Sequence, residues 1–177
     1  PAPAIDVWYT LQGAADSLGE GRNIYRDVWA GPPGVMAAFT YLPWTALLLA
    51  PARWLTGDVR VGLVILTILA ALAVRALAGR DGSGTEPARV TAGVAALILL
   101  LPGTATQVEQ AWTEPMLFAC LAGAALALTR RRYTAAVVLL AVGLACKQHL
   151  ALVLPLLAAW PRFGVRRTVI TALTAGV

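Results

Sequence analysis

The sequence predicts an all-α membrane protein: a polytopic helix bundle with juxtamembrane helices in an outer loop. Of its 177 residues, 59% are hydrophobic and 13% are charged, and the mean hydropathy is +0.72. A soluble domain has about 25% charged residues. The arginines cluster at the ends of apolar runs, which is typical of spanning helices. The net charge of +5 therefore indicates membrane topology and not nucleic-acid binding.

We expect the chain to be an internal piece of a longer protein, with residues 1–177 belonging to one transmembrane domain. It opens with the loop-like "PAPAID", lacks an initiator Met and stops at "VITALTAGV", inside an apolar run. Residues 1–42 are predicted to form an outer loop, and residues 43–177 the helical bundle. Cys120 and Cys146 lie in separate apolar segments and are predicted to be packing residues.

The first 42 residues mix charged and aromatic side chains, as a segment at a membrane surface does. Its charged and aromatic residues include Asp6, Asp16, Glu20, Arg22, Arg26, Asp27, Trp8, Tyr9, Tyr25, Trp29 and Tyr41. The stretch "VWYTLQGAADSLGEG" predicts a short amphipathic helix that ends at Gly19 or Gly21. The stretch "AGPPG" breaks any helix.

The rest of the chain alternates apolar segments with polar loops. Pro43–Leu55 is apolar but short, with Pro43 placed to start a helix and Pro51 to interrupt it, so it predicts a juxtamembrane or re-entrant helix. A span needs about 20 apolar residues, fewer where helices are short. The predicted spans are Val61–Ala78, Val90–Leu101, Met116–Leu128, Tyr133–Cys146, the short Leu150–Trp160 and a last one that begins at Val169.

Charge predicts the orientation of these segments. The arginines form three groups, which are Arg75 with Arg80 and Arg89, Arg130–Arg132, and Arg162 with Arg166 and Arg167. The positive-inside rule places all three groups in the cytoplasm. The outer side then holds Asp58, Glu109, Gln110, Glu114, Lys147, Gln148 and His149. Residues 1–42 share that side if Pro43–Leu55 does not cross, which its short length and Pro51 favour.

The stretch "VVLLAVGLACKQHLALVLPLLAAW" places a lysine and the chain's single histidine inside an apolar run. Counted from Tyr133, the run would be about 42 Å long as one helix, too long for a hydrocarbon core of about 30 Å. Arg132 and Arg162 both favour the cytoplasm, so we predict a hairpin of two short helices with Lys147 at its outer turn. A recessed ammonium there suits a phosphate or pyrophosphate group. The alternative is that Lys147 only snorkels to the interface. A lone His149 gives little support to a metal site.

Four carboxylates are candidates for the acidic part of a site. Asp6 precedes the amphipathic helix and is either its N-cap or a general base at the outer surface. Asp27 has the same two interpretations, and pairing with Arg26 favours the structural one. Glu109 and Glu114 bracket "QAWT" and could bind sugar hydroxyls, bind a metal or be solvated. Glu114 could also lie in the first turn of the following helix.

Three stretches carry a resemblance to a known family. "AIDVWYTLQGAADSLGEGRNIYRD" looks like an outer loop that starts with an acidic residue and has an N-x-Y element near its end. "FTYLPWTALLLAPARWL" is similar to an F-x-Y-P-P entry into an apolar helix, and "GLACKQHLALVLPLL" is similar to a Gly…Lys…Pro pattern. In this order they resemble the GT-C superfamily of polytopic glycosyltransferases, and most closely glycosyltransferase family 87, the mannosyltransferase-like branch of actinobacteria.

The resemblance implies a multi-pass enzyme of the bacterial plasma membrane. It would move a mannose-like sugar from a polyprenyl-phosphate donor to a cell-envelope glycolipid or glycan on the outer face. Asp6 would be the catalytic base and Lys147 a contact to the lipid phosphate. The other expected substrate-binding residues are Gln148, His149, Glu109, Gln110, Glu114 and Tyr41. Members of the superfamily differ in metal dependence, so a divalent metal stays an open option and no other cofactor is expected.

The chain departs from the family pattern at two places. Glu109-Gln110 stands where related proteins often have Gly-Gln, and Leu42-Pro43 stands where two prolines are usual. A transporter is the main alternative function, with Lys147 and Glu114 as a substrate or proton site at a discontinuous helix. A non-enzymatic assembly subunit is a third interpretation.

Overall fold

All regular elements in the described part of the chain are helices, which confirms the all-α class. The computed structural model describes Pro3 and residues 5–29, 38–78 and 85–176. The "AGPPG" stretch and most of the loop predicted at 79–89 lie outside these residues. The elements are α1 Val7–Gly19, α2 Pro43–Thr56, α3 Arg60–Ala78, α4 Thr85–Leu100, α5 Pro102–Glu109, α6 Glu114–Thr129, α7 Tyr133–Cys146, a 3₁₀ helix Gln148–Val153, α8 Leu154–Ala159 and α9 Gly164–Ala175.

Among the described residues, one helix is both long enough and apolar enough to cross a membrane. It is α3, whose window Arg60–Leu77 has a mean hydropathy of 2.1. The bent pair α5 and α6, which meet at 119°, would add a second span if the pair crosses as one. The helix α7 and the segment Gln148–Ala159 are apolar but shorter.

The helices α6 and α7 form a closely packed antiparallel hairpin. A Cβ atom built on Gly143 would lie 3.1 Å from the Cβ of Cys120, and one built on Gly123 would lie 3.1 Å from a methyl carbon of Leu139. The absence of side chains at these two glycines therefore lets the helices approach each other. The hairpin brings the start of α6 and the end of α7 to the same end of the bundle, and α3 packs against α6.

The chain reverses direction at Lys147, so the predicted hairpin at that residue is confirmed. Leu150 folds back so closely that a Cβ atom on Gly143 would lie 3.0 Å from its methyl carbon. Further along, Phe163 packs in a buried cluster with Val137 of α7. The returning arm is not the single short helix predicted at Leu150–Trp160, since it is a 3₁₀ turn followed by α8. Pro155 lies in the first turn of α8, where its missing N–H removes no helical hydrogen bond.

The helices α1 and α2 cover the end of the bundle at which α3 and α6 begin and α7 ends. One buried cluster joins Leu11, Ala14 and Ala15 of α1, Ala46, Leu49 and Ala50 of α2, and Val59, Leu63, Met116 and Cys146 of the bundle. The guanidinium of Arg53 donates to both carboxylate oxygens of Asp16 at 2.8 and 2.9 Å. The side chain of Gln12 accepts from the N–H of Val59 at 3.1 Å. The predicted short helix that ends at Gly19 is confirmed.

Several predicted boundaries were wrong. The helix α2 continues through Pro51, which lies on the exposed face, where a carbonyl without its donor remains accessible. The stretch predicted as a polar loop after Leu101 contains α5, which starts with Pro102 in its first turn. The helices α4 and α9 each begin five residues before Val90 and Val169, at Thr85 and Gly164. Hydropathy marks the apolar part of a helix, and polar first turns extend beyond it.

Candidate functional site

The candidate site is a cavity of about 310 Å³ at the end of the bundle that α1 and α2 cover. Its walls come from the start of α1, the segment before α2, the α5–α6 junction and the break after α7. The lining residues are Val7, Tyr41, Trp112, Thr113, Glu114 and Lys147. Three of the residues expected from the sequence, Tyr41, Glu114 and Lys147, therefore lie together.

Lys147 owes its position to the break between α7 and the 3₁₀ helix. Its backbone is extended, with φ −139° and ψ 110°, so the helix cannot continue through it. The preceding carbonyl, that of Cys146, accepts a hydrogen bond from the hydroxyl of Thr45 at 3.0 Å. Thr45 is fully buried in the first turn of α2. A residue of the covering layer thus satisfies a carbonyl at the end of α7 and holds the break in place.

The Lys147 ammonium donates to the carboxylate of Glu114, the first residue of α6. The Lys147 side chain is 15% exposed, and the Glu114 side chain is 48% exposed. Glu114 lies in the first turn of its helix, as predicted. The turn before it includes Ala111 at φ 56°, in the left-handed region. The ion pair therefore links two interruptions of the helical bundle.

Asp6 directly precedes Val7, which lines the cavity, but Asp6 is not itself among the lining residues. Its backbone carbonyl accepts from the N–H of Thr10 at 2.9 Å and from the Thr10 hydroxyl at 2.8 Å. Asp6 occupies the predicted N-cap position of α1, but its side chain makes no capping hydrogen bond. The physical reason is its backbone, which is already helical at φ −68° and ψ −25°, whereas a capping side chain needs an extended backbone.

Tyr41 connects the two carboxylates electrostatically. Burial raises the pKa of Tyr41 above its ordinary value, and the negative charges of Asp6 and then Glu114 raise it further. Both carboxylates therefore act electrostatically on the same phenol. The Tyr25 hydroxyl donates to the Tyr41 carbonyl at 3.0 Å, and the Phe39 ring lies 5.8 Å from the Tyr41 ring. These contacts hold Tyr41 in the cavity wall.

The sequence did not single out Val7, Trp112 or Thr113 as site residues. Trp112 is an exposed aromatic side chain in the wall, next to buried Thr113. It presents an apolar body with one N–H donor. The signal that could have indicated it is the tryptophan between the two carboxylates of "EQAWTE", since a polar junction between apolar helices seldom needs an aromatic residue.

Other expected site residues lie outside the cavity lining. Glu109 is exposed and lines a separate cavity of about 450 Å³ beside Arg60, between α3 and α5. Gln110 follows α5 and is half-buried. Gln148 and His149 are exposed in the first turn of the 3₁₀ helix. Among the described residues, no group of three His, Cys, Asp or Glu could hold a metal ion.

Two further carboxylates of the covered end have structural contacts. Asp27 accepts from the Ser17 hydroxyl at 2.5 Å and pairs with Arg22, not with Arg26 as predicted. A turn, closed by the hydrogen bond from the Arg26 N–H to the Asn23 carbonyl, brings Arg22 back to Asp27.

Asp58 accepts from the indole N–H of Trp8 at 3.1 Å and from Arg60 at 2.6 Å. Burial alone would raise the pKa of Asp58, but the hydrogen bonds from Arg60 and Trp8 outweigh it and lower the pKa. Asp58 therefore fastens α1 to the start of α3.

Comparisons with known proteins find no relative. The chain matches no protein-family model, no curated protein and no solved structure.

Proposed function

We propose that this chain is part of a membrane glycosyltransferase that uses a polyprenyl-phosphate sugar. It transfers a mannose-like sugar to a cell-envelope glycolipid or glycan on the outer face. One observation carries the proposal: Lys147, Glu114 and Tyr41 share a cavity, and Asp6 directly precedes Val7 in its lining. The cavity thus offers a cation for a phosphate and carboxylates for a sugar and its acceptor.

The lengths of the helices support a lipid-linked donor. With 14 residues, α7 is about 21 Å long, shorter than a hydrocarbon core of about 30 Å. If the arginines beside Tyr133 lie at the cytoplasmic surface, Lys147 lies below the outer surface. A lipid phosphate whose tail stays in the bilayer reaches this depth more readily than a soluble sugar nucleotide does.

The proposed reaction is a displacement at the anomeric carbon of the donor sugar. Asp6 accepts the proton of the acceptor hydroxyl while that oxygen forms a bond to the anomeric carbon. The bond from the anomeric carbon to the phosphate oxygen breaks, and polyprenyl phosphate leaves with its charge held by Lys147. Glu114 accepts hydrogen bonds from sugar hydroxyls. If the reaction is one direct displacement, the sugar configuration inverts and a single base is sufficient.

The test is sugar transfer by an Asp6→Asn variant of the full protein in membranes. Since the Asp6 side chain makes no capping hydrogen bond, the variant should fold and insert normally. Transfer from a polyprenyl-phosphate mannose donor should fall by about two to four orders of magnitude, the usual weight of a general base. The matched control is Glu20→Gln, which removes one carboxylate from an exposed residue and should leave transfer unchanged. Near-normal transfer by Asp6→Asn would refute the role of Asp6 as base.

A transporter is a second candidate, favoured by one observation. The Lys147–Glu114 pair joins two interrupted helices, the arrangement in which transporters place substrate and coupling ions. Proteoliposomes that contain the protein, a polyprenyl-phosphate mannose and a glycolipid acceptor distinguish the two. A covalent sugar product supports the transferase. Donor that changes leaflet without forming a product supports the transporter.

A further inference from the structure

The end of the bundle opposite Lys147 carries a concentration of unpaired positive charge. Its arginines are Arg130, Arg131, Arg132, Arg162, Arg166 and Arg167, and no Asp or Glu follows Glu114 in the sequence. The two groups meet where the Arg167 guanidinium stacks 4.2 Å above the Tyr133 ring. Among the residues whose side chains the structure describes, none of these arginines pairs with a carboxylate. These guanidinium groups are suited to bind an anionic group.

A cavity of about 570 Å³ lies between α7 and α9 at this end. Tyr133, Thr134, Phe163, Arg166 and Arg167 contribute to its walls. Arg167 is held in place because its guanidinium also donates to the carbonyl of Phe163 at 2.9 Å. Arg166 is exposed, so its guanidinium is available to a ligand. The cavity thus combines a fixed cation, an adjustable cation and polar hydroxyls.

An exposed apolar stripe on α9 continues from the cavity. Val165, Val169 and Leu173 are 65%, 49% and 72% exposed and follow each other at intervals of four residues, so they lie on one face of the helix. Val165 and Ile170 also line the cavity. A soluble anion would bind only the cationic cavity, whereas an amphiphile would contact both the cavity and the apolar stripe.

We propose that the cavity between α7 and α9 binds the headgroup phosphate of an anionic phospholipid, with the acyl chains along the stripe on α9. Basic pockets between membrane helices bind anionic lipid headgroups by the same chemistry. The phosphate contacts Arg166 and Arg167, and the lipid comes from the leaflet that faces this end. The proposal uses the membrane location suggested above, but it does not depend on sugar transfer.

The test measures binding of a fluorescent phosphatidylglycerol to the full protein in neutral detergent, against a phosphatidylcholine with the same acyl chains. The parent protein should bind phosphatidylglycerol about ten-fold more tightly. Arg166→Gln should weaken that binding about five-fold, the weight of one arginine near an anionic surface. The matched control is Arg26→Gln, an exposed arginine at the covered end, which should leave binding unchanged.

A second variant separates a lipid from a free phosphate. Leu173→Gln changes a highly exposed side chain and should fold. It should weaken binding of both lipids by roughly three-fold, as expected when one leucine is partly buried by a ligand. Inorganic phosphate in excess should displace phosphatidylglycerol only weakly.

The proposal is overturned if the parent protein binds both lipids equally, or if Arg166→Gln behaves like Arg26→Gln. It is also overturned if inorganic phosphate competes fully and Leu173→Gln has no effect, since the site would then bind free phosphate. Because the test involves neither Asp6 nor a sugar donor, its failure is distinct from failure of the transferase proposal.

Discussion

Replacing Glu114 with Gln should increase the affinity of the protein for polyprenyl phosphate. Without donor, the Lys147 ammonium is engaged by the Glu114 carboxylate, so a phosphate must compete with it. Because the Glu114 side chain is 48% exposed, the pair contributes no more than about 1 kcal/mol, as surface pairs do. Removing the carboxylate charge should therefore tighten phosphate binding by about two- to five-fold.

Replacing Lys147 with Met should have the opposite effect. It keeps an apolar side chain and removes the charge-assisted hydrogen bond to phosphate, which contributes roughly 1.5–3 kcal/mol. Affinity for polyprenyl phosphate should fall by about ten- to a hundred-fold. The free energy of unfolding should change by less than about 1 kcal/mol, since only a partly exposed pair is lost. A gain in affinity for Glu114→Gln and a loss for Lys147→Met would distinguish an effect on ligand binding from general damage to the fold.

The assay is equilibrium binding to the purified full protein, with two ligands. The first is polyprenyl phosphate without a sugar, and the second is the same lipid carrying mannose. If Glu114 also holds sugar hydroxyls, the gain in Glu114→Gln should be smaller for the mannose-linked lipid. Glu20→Gln is the matched control, since Glu20 pairs only with Arg22 on an exposed surface. Competition between Glu114 and the phosphate for Lys147 is refuted if Glu114→Gln binds sugar-free polyprenyl phosphate no more tightly than the parent. The role of Lys147 is refuted if Lys147→Met binds this lipid as tightly as the parent.

Three further predictions concern the fold. Thr45→Val removes the buried donor to the last carbonyl of α7 and should lower the free energy of unfolding by about 1–3 kcal/mol, measured by thermal unfolding. The control Thr40→Val, at an exposed position, should lower it little. Equal losses in the two variants would show that the hydrogen bond is unimportant. Burial alone would raise the pKa of Asp58, but its hydrogen bonds lower it, so its stabilisation is present above the unfolded pKa of 3.8 and is lost as the pH falls below that value. Asp58→Asn should therefore lose less Tm than the parent on acidification through this range, and equal losses would contradict the assignment. Cysteines placed at Thr106 and Arg162, which are both exposed, should be labelled from opposite sides of the membrane, and labelling from one side would disprove the proposed topology.

Helices bounded by charge were predictable from the sequence, whereas the pairing of their ends was not. The limits of α7 matched because its apolar run lies between Arg132 and Lys147, so hydropathy and helix boundary coincide. The limits of α5 were missed because the helix is short and polar and begins at a proline that also reads as a breaker.

In the site, too, single residues were predictable from the sequence, whereas their contacts with distant residues were not. Lys147 and Asp6 stood out because charge in an apolar or aromatic context is unusual. The contact of Lys147 with Glu114 joins residues 33 apart, and that of Thr45 with Cys146 joins residues 101 apart. Such distant partners depend on the packing of several helices, which no local pattern encodes.

The hydroxyl of Thr45 connects the first turn of α2 to the break after α7 by one buried hydrogen bond. Its acceptor is the carbonyl of Cys146, which belongs to the peptide group between Cys146 and Lys147. A rotation of α2 over the bundle would therefore carry that peptide with it and re-aim the ammonium relative to Glu114.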